Sequence, residues 1–337
     1  MTNSSNNTRR DFLKTCVAGA ASLTTAKLCL ADKVLPATAS AKSKVVIARD
    51  PAVYDASGTL DSARVQKLLD NAMQSFYDVH DPVAAWKKVV RPGEVVGLKV
   101  NTIAGPGLSP HVALVNAICE RLKQAGIKPN DIVIWDRFAR ELERTGFPIS
   151  TDPNRERILA SDHKDVGFED APFSNRSVTT RFSKLLTRTC TAMINLPVLK
   201  DHSMAGITLS MKNMYGVVNN PNEFHSNNCC PFIPDLYASP VIKNKFRISI
   251  ADALTACYEG GPGYKPQYTW KYNGLILATD PVAQDHTAWQ IIERQRAEKD
   301  LKPLSAVGRP PKYIAVAADS DHNLGTNDPS RINLFEV

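Results

Sequence analysis

Apolar residues in this chain fall into short, near-continuous runs separated by stretches of helical spacing. Val45-Val46-Ile47-Ala48, Val95–Asn101, Asp131–Asp136, Ala192–Leu196, Arg247–Ala253 and Gly274–Asp280 each hold an apolar core of strand length. Such runs fit strands covered on both faces, as in a parallel sheet. Between them, Asp61–Tyr77 places Val65, Leu68, Leu69, Ala72, Met73 and Phe76 on one helical face. A shorter helix is expected over Ala84–Val90, before the turn at Arg91-Pro92-Gly93. Another is expected from Pro110 to Gln124, stopped by Gly126, and a third from Pro281 to about Ala297. Strand, helix and strand recur at short spacing, which predicts βαβ units. The expected fold class is α/β, a mostly parallel sheet flanked by helices. Residues 137–190 interrupt the pattern, with many charges and with Pro148, Pro153 and Pro172. They are read as an inserted loop and helix region, with helices over Arg137–Arg144 and Asn154–Ala160. Asn219–Pro240 is read as a long ordered loop, and Tyr313–Ala317 as the last strand.

The chain has 337 residues, 43% of them hydrophobic and 22% charged, enough for a sizeable core. The N-terminus changes the reading of its net charge of +7. Residues 1–41 carry five basic and two acidic side chains, a net +3, which leaves +4 for the rest. That is too mild and too dispersed for a nucleic-acid protein, and it favours small anionic partners at most. Thr8-Arg9-Arg10-Asp11-Phe12-Leu13-Lys14 resembles the twin-arginine export motif. A weakly apolar stretch follows, with small-residue cleavage sites after Ala39 or Ala41. Residues 1–41 are therefore expected to be a signal peptide handled by the twin-arginine translocase, and residues 42–337 a single α/β domain, periplasmic or extracellular. No later run is long and apolar enough for a membrane helix.

Polar residues gather at the carboxyl ends of the predicted strands, where ligands bind in open parallel sheets. Lys99 and Asn101, Asp136, Lys200 and His202, Asp252 and Asp280 all follow this rule. The densest stretch runs from Ala192 to Gly216, read as a strand ended by Pro197, a loop, and the start of a helix. It supplies Lys200, Asp201, His202, Lys212 and Asn213. A lysine at a helix N-terminus is a poor cap, because the helix dipole disfavours a cation there. Lys99, Lys200 and Lys212 are thus candidates for binding negative charge. The expected catalytic set is Lys200, His202, Lys212 and Asp252. Lys99, Asn101, Asn213, Asp280 and Asp285 are expected to bind the ligand, and His202 and His225 are possible metal ligands. The competing reading of the aspartates is helix capping. The glycines at 105–107 and 260–263 fit neither a dinucleotide fingerprint nor a P-loop, and there is no G-x-S-x-G elbow. Past the leader, Cys119, Cys190, Cys229, Cys230 and Cys257 make no C-x-x-C pair, so an iron–sulfur cluster lacks a spacing to hold it. A disulfide from Cys229 or Cys230 to a distant cysteine is compatible with an oxidising compartment, and buried free thiols are the alternative.

Several segments, taken together and in order, resemble the DUF362 family. They are Val96–Asn101, Ile194–His202 with its Lys-x-His, Leu209–Gly216 with its Lys-Asn-x-x-Gly, Ile250–Ala253 and Asp280–Asp285. The resemblance spans roughly residues 95–320 and implies the same fold and the same cleft residues. Some relatives carry a ferredoxin-like iron–sulfur module, whose cysteine run this chain lacks. The family supplies no reaction. The reading is therefore an exported protein with an enzyme-like cleft for an anionic small molecule or cofactor. Its competitor is a non-catalytic binding or accessory protein for a periplasmic redox enzyme.

Overall fold

The computed structural model describes residues 42–337, which form one unit around one large mixed sheet. The expected signal peptide lies outside the described residues. In chain order the strands are β1 (Ser43–Arg49), β2 (Val96–Lys99), β3 (Ile132–Asp136), β4 (Arg157–Ala160), β5 (Phe173–Asn175), β6 (Val178–Thr180), β7 (Ala192–Asn195), β8 (Val198–His202), β9 (Gly206–Thr208), β10 (Phe246–Cys257), β11 (Thr269–Trp270), β12 (Gly274–Ala278) and β13 (Ile332–Glu336). The main sheet runs β13-β1-β12-β10-β7-β2-β3-β4, with β8, β9 and β11 attached through β10. β10, β7, β2, β3 and β4 are mutually parallel, whereas β12 runs antiparallel between β10 and β1. The α/β class read from the apolar pattern is the class observed.

Strand alternation divides the core into two layers. Val45, Ile47, Val133, Trp135 and Met193 face one layer, while Val46, Ala48, Ile132, Ile134 and Ile194 face the other. Helices Ser62–Tyr77 and Val112–Gln124 bury their apolar stripes in the second layer. Helix Pro281–Glu298 covers the first. Asp61, Asp81 and Asp280 cap helices by accepting from backbone N–H groups, and Pro82 and Pro281 occupy the first turns. Among the described residues no helix is long and apolar enough to cross a membrane.

Four expectations about secondary structure need correction, the last of them at Pro197. Residues 157–160 form the edge strand β4 rather than part of a helix, paired with β3. Tyr313–Ala317 is a helix rather than a strand; Tyr313, Ile314 and Ala317 are buried at the spacing of a single turn. The strand at that end of the chain is β13, a parallel neighbour of β1. The 219–240 segment is a chain of short helical turns, among them Pro221–Phe224 and Phe232–Tyr237.

Pro197 does not end the local strand structure. It displaces it. β7 runs along the first third of β10, and β8 resumes beyond the proline along the second half, again parallel. Proline has no N–H for the ladder, but its carbonyl accepts from Asp252 N at 2.8 Å. The twelve residues of β10 therefore act as a common rail for both strands. β8 then folds back through β9, pairing Lys200 with Thr208. This hairpin stands over the carboxyl ends of β2, β3 and β7.

Candidate functional site

A cavity of about 320 Å³ opens at those strand ends. Its lining includes Lys99 and Asn101 after β2, Asp136 and Arg137 after β3, Lys200 and His202 from β8, and Lys212, Asn213, Tyr215 and His225 from the segment that follows. The position is where a parallel sheet offers a crevice. The convergence expected from the sequence is thus met by Lys99, Asn101, Lys200, His202, Lys212, Asn213 and His225.

The floor is a closed hydrogen-bond network. Lys99 Nζ donates to Asp136 Oδ1 at 2.7 Å and to the Val100 carbonyl at 2.6 Å. Asp136 Oδ2 accepts from both the backbone N–H and the hydroxyl of Thr102, each at 2.8 Å. Asn213 Oδ1 accepts from Asn101 Nδ2 at 2.8 Å, and Asn213 Nδ2 donates to Asn195 Oδ1 at 2.7 Å. Asn195 donates in turn to the Ser210 carbonyl at 3.0 Å. Gly216 passes directly over this network: a Cβ there would sit 2.7 Å from Lys99 Nζ and 3.0 Å from Asp136 Oδ1. That contact explains the glycine at this position.

The wall is different. Lys200 is fully buried, and Asn101 Oδ1, at 2.7 Å, is its hydrogen-bond acceptor. Lys212 is also buried. Its Nζ lies 3.2 Å from His225 Nε2 and 3.7 Å from the centre of the Tyr215 ring. Among the described residues neither lysine has a carboxylate within ion-pair distance. Burial pushes Lys200 down to about 8, and attraction from Cys257, Asp136 and Asp201 offsets this only in part. Burial pushes Lys212 down to about 7, with Lys200 adding repulsion against a partial offset from Cys229. Thr208 Oγ1, also in the lining, is buried without a hydrogen-bond partner.

Two imidazoles complete the wall, stacked with ring centroids 5.7 Å apart. His202 Nδ1 accepts from the N–H groups of Met204 and Ala205, at 3.0 and 3.1 Å. The ring proton is therefore on Nε2. Burial, reinforced by Lys212 and His225, drives His202 down to about 2, so the ring is neutral across the physiological range. His225 Nδ1 lies 2.9 Å from the Pro221 carbonyl, which fixes that proton on Nδ1 and turns the Nε2 lone pair toward Lys212. Burial and the neighbouring Lys212 keep His225 below its ordinary value too.

The 3₁₀ turn Lys212–Val217 is fixed from behind by Asp285. This carboxyl accepts from Ser210 N at 2.7 Å, Met211 N at 3.3 Å and Tyr313 Oη at 3.0 Å. Asp285 is fully buried and pushed up to about 7 by desolvation, partly offset by these bonds. It anchors the lysine-bearing turn and does not line the cavity. Asp280 likewise lies away from it, capping its helix through Val282 N and Ala283 N, both at 2.9 Å. Asp252 is not beside His202 or His225. Its Oδ2 accepts from His111 Nδ1 at 2.8 Å and from His111 N at 2.7 Å, within a group that includes Tyr54. These three aspartates lie elsewhere because each is taken up by backbone N–H donors. No third His, Cys, Asp or Glu joins His202 and His225 as a metal-ligating group among the described residues, and the nearby Lys212 repels a cation. The five described cysteines are buried free thiols, so a disulfide at Cys229 or Cys230 is not formed. Sequence reasoning missed Arg137, Glu141, Thr208 and Tyr215 as lining residues; none has a spacing signal of its own.

The sequence profile of DUF362, a domain of unknown function, matches residues 96–290. The chain belongs to that family. The matched span of this DUF362 protein covers β2 through most of helix Pro281–Glu298, and so every lysine and histidine of the wall. No curated protein matches the sequence. Among solved structures, a Thermotoga maritima protein determined by a structural genomics consortium is similar, with a TM-score of 0.42 at 10% identity. The match covers 70% of this chain and 59% of that protein's length.

Proposed function

We propose that the cleft binds an anionic small molecule, held by Lys200 and Lys212 and oriented by His202. One observation carries this reading: two buried lysines share a cavity, neither has a carboxylate within ion-pair distance among the described residues, and more distant carboxylates offset the burial of Lys200 only in part. Burying an ammonium without a counter-charge is expensive. The same fold compensates Lys99 with Asp136, so the chain has a means of doing so. An anion entering between Lys200 and Lys212 supplies the missing charge and favours the ammonium forms, the protons being taken up from solvent. Thr208 Oγ1 and His202 Nε2 add a hydroxyl and a neutral N–H donor. This is a preorganised polar lining of the kind that recognises carboxylate or phosphoryl groups. Ile103, Phe138 and Met204 at the same cavity favour a ligand with an apolar portion.

The reading includes export. The Arg9-Arg10 motif and the small residues before Ala41 support twin-arginine transport to the periplasm or beyond, followed by cleavage. Fractionation of cells with and without a functional translocase checks this: the mature chain is expected outside the cytoplasm only when the translocase works.

Titration calorimetry with inorganic phosphate, pyruvate and phenylpyruvate tests the cleft. Saturable binding is expected for the wild type, and its loss in the Lys200→Met, Lys212→Met double variant. Equal binding by the double variant contradicts the reading. The competing reading, a binding or accessory protein without turnover, is favoured if tight binding is never followed by chemical change of the ligand.

A further inference from the structure

The wall holds more than is needed to neutralise an anion. Lys212 Nζ is within hydrogen-bond reach of His225 Nε2, and His225 is itself oriented by the Pro221 carbonyl. A nucleophile, a base and a group that orients the base form the arrangement expected of an activated nucleophile. His202 faces the same cavity with a proton fixed on Nε2 and no protein acceptor for it among the described residues. A neutral imidazole N–H is suited to polarise a carbonyl oxygen. Lys200 lines the cavity beside them with one neutral acceptor, Asn101.

We infer that Lys212 is a nucleophilic amine and that the ligand class is an anion bearing a reactive carbonyl, such as an oxo acid or an aldehyde phosphate. The inference rests on the anion reading of the cleft and narrows it. Lys200 holds the anionic group as an ammonium, and Lys212 reacts through its unprotonated fraction. The Lys212 nitrogen pair attacks the carbonyl carbon, forming the C–N bond, while the carbonyl π pair moves to oxygen and is met by His202 Nε2–H. A nitrogen proton passes to His225 and on to that oxygen, giving a carbinolamine. The C–O bond then breaks, and the oxygen leaves as water with the second nitrogen proton. Amine and carbonyl become imine and water, with no change of oxidation state. A near-neutral amine, as burial makes Lys212, supplies the free nitrogen pair that an exposed lysine mostly lacks at pH 7.5.

The test is reductive trapping. The purified protein is incubated at pH 7.5 with sodium cyanoborohydride and, in separate arms, pyruvate, phenylpyruvate or glyceraldehyde 3-phosphate. Peptide mass spectrometry then locates the adducts. Lys212 is expected to be modified at least on the order of tenfold faster than exposed lysines such as Lys265 and Lys302. That adduct should vanish in Lys212→Arg and form more slowly in His225→Asn. Even labelling of surface lysines, or none with all three probes, overturns the inference. If a probe binds by calorimetry, loses affinity in Lys200→Met and leaves Lys212 unmodified, the imine fails while the anion reading stands. If no probe binds and none labels, both fall.

Discussion

Floor and wall of the cleft treat the same side chain in opposite ways. On the floor, Lys99 is buried against Asp136, whose second oxygen is filled by Thr102, and every strong donor finds an acceptor. On the wall, Lys200 and Lys212 are as deeply buried but meet an amide, an imidazole and an aromatic face. The first is a finished ion pair that holds β2 to β3. The second is a pair of buried amines with lowered proton affinity and no carboxylate at ion-pair distance among the described residues. Burial alone therefore does not single out a lysine as a candidate; burial without a carboxylate partner is what the proposed anion site rests on.

The largest expected effect breaks the floor. Asp136→Asn leaves Lys99 buried and uncompensated, and should cost about 3–5 kcal/mol in urea unfolding. Gly216→Ala forces a methyl group onto the same pair and should cost roughly 1–3 kcal/mol. Next come the wall lysines, where the sign reverses. Lys200→Met or Lys212→Met should leave unfolding free energy unchanged or raise it by roughly 1–3 kcal/mol, since each removes a poorly solvated amine. Each should also weaken anion binding by on the order of 10- to 100-fold, as expected for one charged hydrogen bond. Loss of stability comparable to Asp136→Asn would erase the distinction.

The pH dependence sharpens the contrast further. Lys200 and Lys212 titrate near about 8 and about 7 in the folded chain, below the unfolded lysine value of ~10.4. Between those limits the unfolded state binds more protons, so stability of the free protein rises with pH there. Anion affinity should run the other way and fall as pH climbs through 7 to 8, because the ammonium forms are lost. The methionine variants should flatten both trends in denaturant and calorimetric titrations. The smallest effect is expected away from the cleft. Burial lowers the His111 pKa, but Asp252 outweighs it and raises the value overall. The stabilisation from this pair is present below the ordinary histidine pKa and lost as pH rises through the folded value. Asp252→Asn should cost on the order of 1–2 kcal/mol and leave anion affinity untouched.

The cleft was legible because Lys99 on its floor and Lys200 and Lys212 on its wall are residues a helix start would not choose as caps. The strand-end rule misplaced Asp280 because a carboxylate at a strand end caps the following helix equally well, and Asp285, a ligand candidate, instead accepts from the distant backbone N–H groups of Ser210 and Met211, a pairing with no trace in spacing. Asp252 was misplaced for another reason: β10 runs on to Cys257, so Asp252 lies in mid-strand, a length the apolar run ending near Ala253 did not reveal. Tyr313–Ala317 shows the known ambiguity of a five-residue apolar run, which packs as a helical turn as readily as a strand. β13 lacks a clean apolar–polar alternation, and Leu334 and Phe335 remain exposed, so neither pattern nor burial announces it. Carboxylate pairing of each lysine is a property of three-dimensional neighbours and has no trace in spacing.

Proton uptake on binding probes the wall most directly. Calorimetry of the binding anion at pH 7.5, in two buffers of different ionisation enthalpy, reports it without any assumption about turnover. Net uptake of protons is expected for the wild type, reduced in Lys200→Met and abolished with binding itself in the double methionine variant. Tight binding with no proton uptake, unchanged by the double substitution, would show that the anion sits elsewhere and that these two amines have another purpose.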